Sequence, residues 1–164
     1  MNINVDSLNK GFSKDVSFDG YVTLPKSLDY KENVYVKCKG DITNLSGKYT
    51  FKGSVVANIC FYCNSCLKEF EKELKFDMLE VFSKENIDDE IWLFSSKDNI
   101  INLEEPIKTN ILLNLSMKAL CEEGCKGLCR ICGHNLNEGD CGCDRDFIDP
   151  RFEKFLHLFE NKEV

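Results

Sequence analysis

No stretch of this sequence approaches the roughly 20 consecutive apolar residues that a membrane-crossing helix requires, and no basic flank followed by an apolar run opens it. Those absences predict a chain that is neither membrane-spanning nor secreted, and place it in the cytoplasm. Histidine is scarce: His134 and His157 are the only two, and neither has an evident catalytic partner in sequence. Positive charge is also in deficit, with 21 Lys and Arg against 28 Asp and Glu, for a net charge of −7. That sign excludes a protein held to nucleic acid by its overall field, so any RNA contact must be local. Residues 1–60 carry 8 basic and 6 acidic side chains, residues 61–120 carry 7 and 12, and residues 121–164 carry 6 and 10. Only the first segment leans basic, with Lys37, Lys39, Lys48 and Lys52 close together. Internal repeats and low-complexity tails are absent as well.

What is present is enough for one domain over residues 1–164: 43% hydrophobic residues can fill a core. Apolar and polar residues alternate over 16–24 and 34–45, Ser46-Gly47 has turn chemistry, and strand character resumes over 48–62 and 67–82. The gaps are too short for crossover helices, so the pattern predicts an antiparallel meander within residues 1–103. Residues 85–90 read as an acidic loop, and 91–94 and 100–103 as short edge strands. Asn102 and Glu105 have the spacing of a capping box, Pro106 suits a first helical turn, and Ile107, Ile111, Leu112, Leu115 and Ala119 recur at helical spacing. A helix is predicted over 104–120. A last helix over 149–161 follows from Asp149-Pro150 and the stripe Phe152, Phe155, Leu156 and Phe159. The fold class is therefore α+β, with a cysteine-rich segment at 121–148 between the two helices.

Ten cysteines in a chain without an export signal persist more readily as metal ligands, catalytic thiols or buried small hydrophobes than as disulfides. Residues 121–148 hold six of them and few large apolar side chains, so hydrophobic burial alone cannot order this segment. The sharpest arrangement is Cys129-x2-Cys132, then eight residues, then Cys141-x-Cys143. A Cys-x2-Cys turn aims two thiolates at one point, and an extended Cys-x-Cys projects its two side chains to one side, so the four can close a tetrahedron around zinc. Cys63-x2-Cys66 lies in a turn between two strands, and joining it with Cys121 and Cys125 completes a second group of four. Two zinc ions would then use eight cysteines. Rival partitions stay open: Cys121 or Cys125 can combine with Cys129 and Cys132, and Cys60 stands at the same spacing from Cys63 as Cys63 from Cys66. Cys38 and Cys60 are expected to be inward-facing small hydrophobes, and His134 an exposed loop residue.

Residues 121–152, CEEGCKGLCRICGHNLNEGDCGCDRDFIDPRF, closely resemble the signature of the YceD family, named for large-subunit ribosomal RNA accumulation. The resemblance extends to CNSCLKEFE at 63–71 and to ILLNL at 111–115. Ser65 stands where the family often has Arg, and Ser116 and Met117 where Pro is frequent. The C-terminal cysteine cluster is not universal in the family, which marks Cys129, Cys132, Cys141 and Cys143 as a separable site. The resemblance implies a cytoplasmic factor that supports production or stability of large-subunit ribosomal RNA, its gene often beside that of a large-subunit ribosomal protein.

Three function classes follow. The leading one is a noncatalytic zinc-binding module, not an enzyme, that contacts ribosomal RNA or a large-subunit ribosomal protein; the acidic balance favours the protein. The alternative is a thiol redox protein using Cys63 and Cys66, although a pair between strands lacks the helix N-terminus that lowers a thiolate pKa. A metal-assisted nuclease using Asp88, Asp89 and Glu90, or Asp144 and Asp146, has no general base in view. Sites closed by four thiolates leave no open coordination position, which favours structure over catalysis.

Overall fold

The computed structural model describes residues 1–6, 8, 11–85, 91–94 and 99–144. The elements are β1 (Asn2–Asn4), β2 (Ser13–Thr23), β3 (Asn33–Leu45), β4 (Lys48–Tyr62), β5 (Glu69–Ser83), β6 (Trp92–Leu93), β7 (Ile100–Asn102) and α1 (Glu104–Asn114). Two compact units form, one from residues 1–64 and 68–121, the other from 65–67 with the segment that begins at 122.

In the first unit, β2 to β5 form the antiparallel meander anticipated from the alternation, and β6 adds to β5 in parallel, in the order β2-β3-β4-β5-β6. One face of β3 and β4 carries Val34, Val36, Cys38, Ile42, Phe51, Val55, Ala57 and Ile59, all fully buried. Such a period of two places every second residue in the core. Ser46 (φ 55°) and Gly47 (φ 89°) form the two-residue turn, and positive φ at both positions matches the twist of the flanking strands and sets the register Leu45 opposite Lys48. At mid-hairpin Gly40 lies opposite Gly53, and a Cβ on Gly40 would sit 2.3 Å from the Lys52 carbonyl oxygen. Only glycine permits this approach of the two backbones.

β1 pairs with β7 in a separate two-stranded sheet, a partner for β7 that the alternation pattern did not reveal. α1 packs against β5 and β2 with Pro106, Ile107 and Ile111 buried. Burial of each large aliphatic side chain stabilises the fold by about 1.5–3 kcal/mol. Glu80 ties three elements together: its carboxylate accepts from Trp92 Nε1 of β6 and from Asn110 Nδ2 of α1, each at 2.6 Å.

The helix is shorter than the 104–120 expected. Leu115 is extended (ψ 137°), and α1 ends at Asn114. Two competing sets of bonds account for this. Asn114 Nδ2 donates back to the Asn110 carbonyl at 2.8 Å, and the backbone of Ala119 is engaged by Asn64, which satisfies its N–H and C=O without a further helical turn. The expected capping box does not form: Leu103 is the N-cap residue and makes no side-chain cap bond, Asn102 Oδ1, one position earlier, accepts the Glu104 N–H at 2.9 Å, and the Glu105 carboxylate accepts from Lys108 at 3.0 Å. The α+β class holds for the described residues; the helix expected over 149–161 lies outside them.

Candidate metal centres

The long antiparallel pair β4 and β5 delivers Cys63 and Cys66 at its connecting turn, where Cys63 is fully buried and Cys66 nearly so. The turn closes through the Cys63 N–H bonded to the Lys68 carbonyl at 2.9 Å, with Leu67 left-handed (φ 61°). Asn64, inside the Cys-x2-Cys, fixes the approach of the segment that carries Cys121. Its N–H donates to the Ala119 carbonyl at 2.9 Å, and its Oδ1 accepts the Ala119 N–H at 2.7 Å. Its Nδ2 donates to Asp29 Oδ1 at 3.1 Å. Cys63, Cys66, Cys121 and Cys125 each offer a sulfur, and the four lie within 4.8 Å of one another.

The second group is built by a knuckle. The Gly133 N–H bonds to the Cys129 carbonyl at 2.9 Å, the Cys129 N–H to the His134 carbonyl at 2.8 Å, and the Leu136 N–H to the Gly127 carbonyl at 2.9 Å. Left-handed Gly133 (φ 73°) lets the chain fold back so tightly. Cys129, Cys132, Cys141 and Cys143 also place four sulfurs within 4.8 Å of one another. Their Cys-x-Cys half departs from the extended form expected, because Gly142 between the two cysteines is left-handed (φ 68°). The Cys129 thiol is held down at about 6 because the backbone N–H groups of Cys132 and Ile131 point at its sulfur. The Cys143 thiol is pushed up to about 12 by hydrogen bonds to the sulfurs of Cys132 and Cys141. One readily ionised thiol beside one that resists ionisation is what crowding negative charge in a small space produces.

Four sulfurs at the corners of a zinc tetrahedron stand about 3.8 Å apart, given a Zn–S bond near 2.3 Å. Both groups keep their sulfurs within 4.8 Å of one another, a limit that accommodates this spacing, and either could hold a metal ion. The remaining cysteines lie elsewhere. Cys38 is fully buried in β3, where burial pushes its thiol up to about 11, and Cys60 is half-buried on β4. His134 is exposed and contributes its carbonyl to the knuckle. The acids Asp88, Asp89, Glu90 and Asp146, with His157 and the stripe Phe152, Phe155, Leu156 and Phe159, lie outside the described residues; Asp144 is exposed.

Lys37, Lys39, Lys48 and Lys52 share the sheet face opposite the core, but acidic residues are interspersed among them. Register places Lys37 opposite Asp19, Lys52 opposite Asp41, and Lys39 between Ser17 and Ser54. Two residues with evident positioning roles, Asn64 and Asn137, were not legible as such in the sequence. Their signal was an Asn inside one Cys-x2-Cys and another in the loop between Cys132 and Cys141, a pattern that ordinary turns share.

An antiparallel sheet with two four-cysteine groups defines a β-sheet protein with candidate metal centres. Comparison with known families then places the chain: it belongs to the YceD family, since the model described as large ribosomal RNA subunit accumulation protein YceD matches residues 51–159. It is 32% identical over 63 residues to the chloroplastic large ribosomal RNA subunit accumulation protein YCED homolog 1 of Arabidopsis thaliana, a match covering 38% of this chain and 20% of that protein. The corresponding protein of Zea mays is 39% identical over 51 residues, 30% of this chain and 17% of its own. An uncharacterized protein of Mycobacterium tuberculosis is 28% identical over 111 residues, 65% of this chain and 53% of its own. The chain thus spans about a fifth of the Arabidopsis protein and about half of the mycobacterial one. No solved structure matches it. Among the described residues, no helix is long and apolar enough to cross a membrane.

Proposed function

We propose that this chain is a noncatalytic zinc protein of the cytoplasm that supports large-subunit ribosomal RNA accumulation by binding a ribosome-related macromolecule. The observation that carries the proposal is the pair of four-cysteine groups within a chain of the YceD family. Cys63, Cys66, Cys121 and Cys125 would hold one zinc, and Cys129, Cys132, Cys141 and Cys143 the other. All-thiolate donor sets suit zinc and leave no open coordination position, so the metal would supply a cross-link in a segment poor in apolar residues. Burial of Cys63 and Cys66 beside two further cysteines weighs against their use as an exposed redox pair.

The partner class is ribosomal RNA or a large-subunit ribosomal protein. The net charge of −7 and the position of Asp19 and Asp41 opposite Lys37 and Lys52 in the sheet register favour the basic protein. The test is capture of large-subunit components by the tagged chain, before and after ribonuclease, together with large-subunit ribosomal RNA levels in cells lacking the protein. Retention of a basic ribosomal protein after ribonuclease, with ribosomal RNA lowered in the deleted strain, supports this reading. Capture that vanishes with ribonuclease and falls steeply with added salt assigns RNA as the direct partner. Unchanged ribosomal RNA in the deleted strain refutes the role.

A further inference from the structure

The loop between Cys132 and Cys141 does more than connect two halves of one cysteine group. Asn137 Nδ2 donates to Cys125 Sγ at 3.4 Å, and Cys125 belongs to the other group. The orientation of this amide is set by its neighbours. Asn137 Oδ1 accepts the Lys126 N–H at 2.8 Å, which turns Nδ2 toward Cys125. Asn135 Oδ1 accepts both the Asn137 N–H at 3.1 Å and its Nδ2 at 2.9 Å, and Asn135 pairs with Leu128 in a bridge of the knuckle itself. The Leu128 N–H in turn donates to the Ser65 carbonyl at 3.1 Å, one residue before Cys66. Gly127 completes the approach: it is left-handed (φ 74°), and a Cβ there would lie 3.0 Å from that same Ser65 oxygen.

We infer that the two four-cysteine groups fill with metal cooperatively, and that Asn137 is the positioning residue that carries the coupling. The inference rests on the zinc reading above. A metal bound by four thiolates leaves excess negative charge on sulfur, and N–H donors aimed at the sulfurs stabilise it; loss of such a supporting contact typically costs about 10–100-fold in metal affinity. Binding at Cys129, Cys132, Cys141 and Cys143 clamps both ends of the 133–140 loop, so Asn137 is already ordered when the other group closes. The ordering cost is then met once for two ions, and linkage requires the same factor in the reverse direction.

The experiment is native mass spectrometry of the full chain, stripped of metal and titrated to half saturation with zinc alone. Two independent sites put at least about half of the molecules in the one-metal form at that point. Cooperative filling predicts a smaller one-metal fraction for the parent, with metal-free and two-metal forms dominating. Asn137→Ala should raise the one-metal fraction and lower affinity at one site by about tenfold or more in a chelator competition. Asn137→Asp retains an oxygen for the Lys126 N–H but loses the donor, so it should behave like the Ala variant. Far-UV circular dichroism confirms that each variant is folded. Identical metal distributions in the parent and Asn137→Ala overturn the coupling while leaving the two-zinc reading intact, and an Asp variant that behaves as the parent overturns donation to sulfur. A parent that binds no zinc overturns both.

Discussion

Protons and metal ions compete for the same sulfurs, which makes the second cysteine group a quantitative test of how its thiols are held. In the metal-free protein Cys129 ionises near about 6, while Cys143 is pushed up to about 12. Near neutral pH Cys129 is therefore already a thiolate and Cys143 carries its proton. Metal binding must expel that proton, because only thiolates ligate zinc. The sign follows: lowering the pH favours the protonated metal-free form, so affinity falls as pH falls and rises as pH rises. Each proton expelled changes the apparent affinity about tenfold per pH unit. With at least the Cys143 proton displaced, affinity should rise about tenfold or more for each unit above neutrality. Below about 6 the slope should steepen by one further proton, as Cys129 also becomes protonated in the metal-free state. Chelator competition across this pH range gives the slope, and calorimetry in buffers of different ionisation enthalpy counts the protons. Affinity that does not change with pH, or a slope that flattens as pH falls through Cys129's range, would refute the reasoning.

The remaining predictions concern the scaffold. Gly40→Ala places a methyl group 2.3 Å from the Lys52 carbonyl oxygen and should force β3 and β4 apart, lowering stability by about 2 kcal/mol or more in a urea titration. Phe51→Ala empties a fully buried position and should cost about 3–5 kcal/mol in the same assay. Asn64→Ala loses the side-chain bond to the Ala119 N–H and the one to Asp29, while its backbone N–H keeps the Ala119 carbonyl; about 1–2 kcal/mol of stability and weaker metal retention at the Cys63 group are expected, read by denaturation and chelator competition. Cys38, fully buried with its thiol pushed up to about 11, should react with an aromatic disulfide reagent only when the protein is denatured.

The parts of the fold that were legible in sequence are those set by short-range physics. Alternation over β3 and β4 marks Val34, Val36, Val55 and Ala57 for one face, and Ser46-Gly47 has turn chemistry, its glycine free to take positive φ. The pairing of β1 with β7 was not legible, because three-residue strands nearly a hundred positions apart carry too little periodicity to announce each other. The end of α1 was misplaced for a similar reason: Leu115 and Ala119 keep helical spacing, but Asn64, far away in sequence, engages the Ala119 backbone. For the cysteines, spacing marked which residues could converge but left several groupings open. Long-range folding brings Cys121 and Cys125 to Cys63 and Cys66. The left-handed backbone at Gly142 was hidden because a Cys-x-Cys carries no record of whether its backbone is extended or left-handed.

The most direct test of the central claim is the zinc content of protein purified without added metal, alongside Cys63→Ser and Cys129→Ser. The account predicts two zinc ions per parent chain, with each variant losing at least the ion of its own group. A parent chain without bound metal, or variants that retain the full complement, would contradict it.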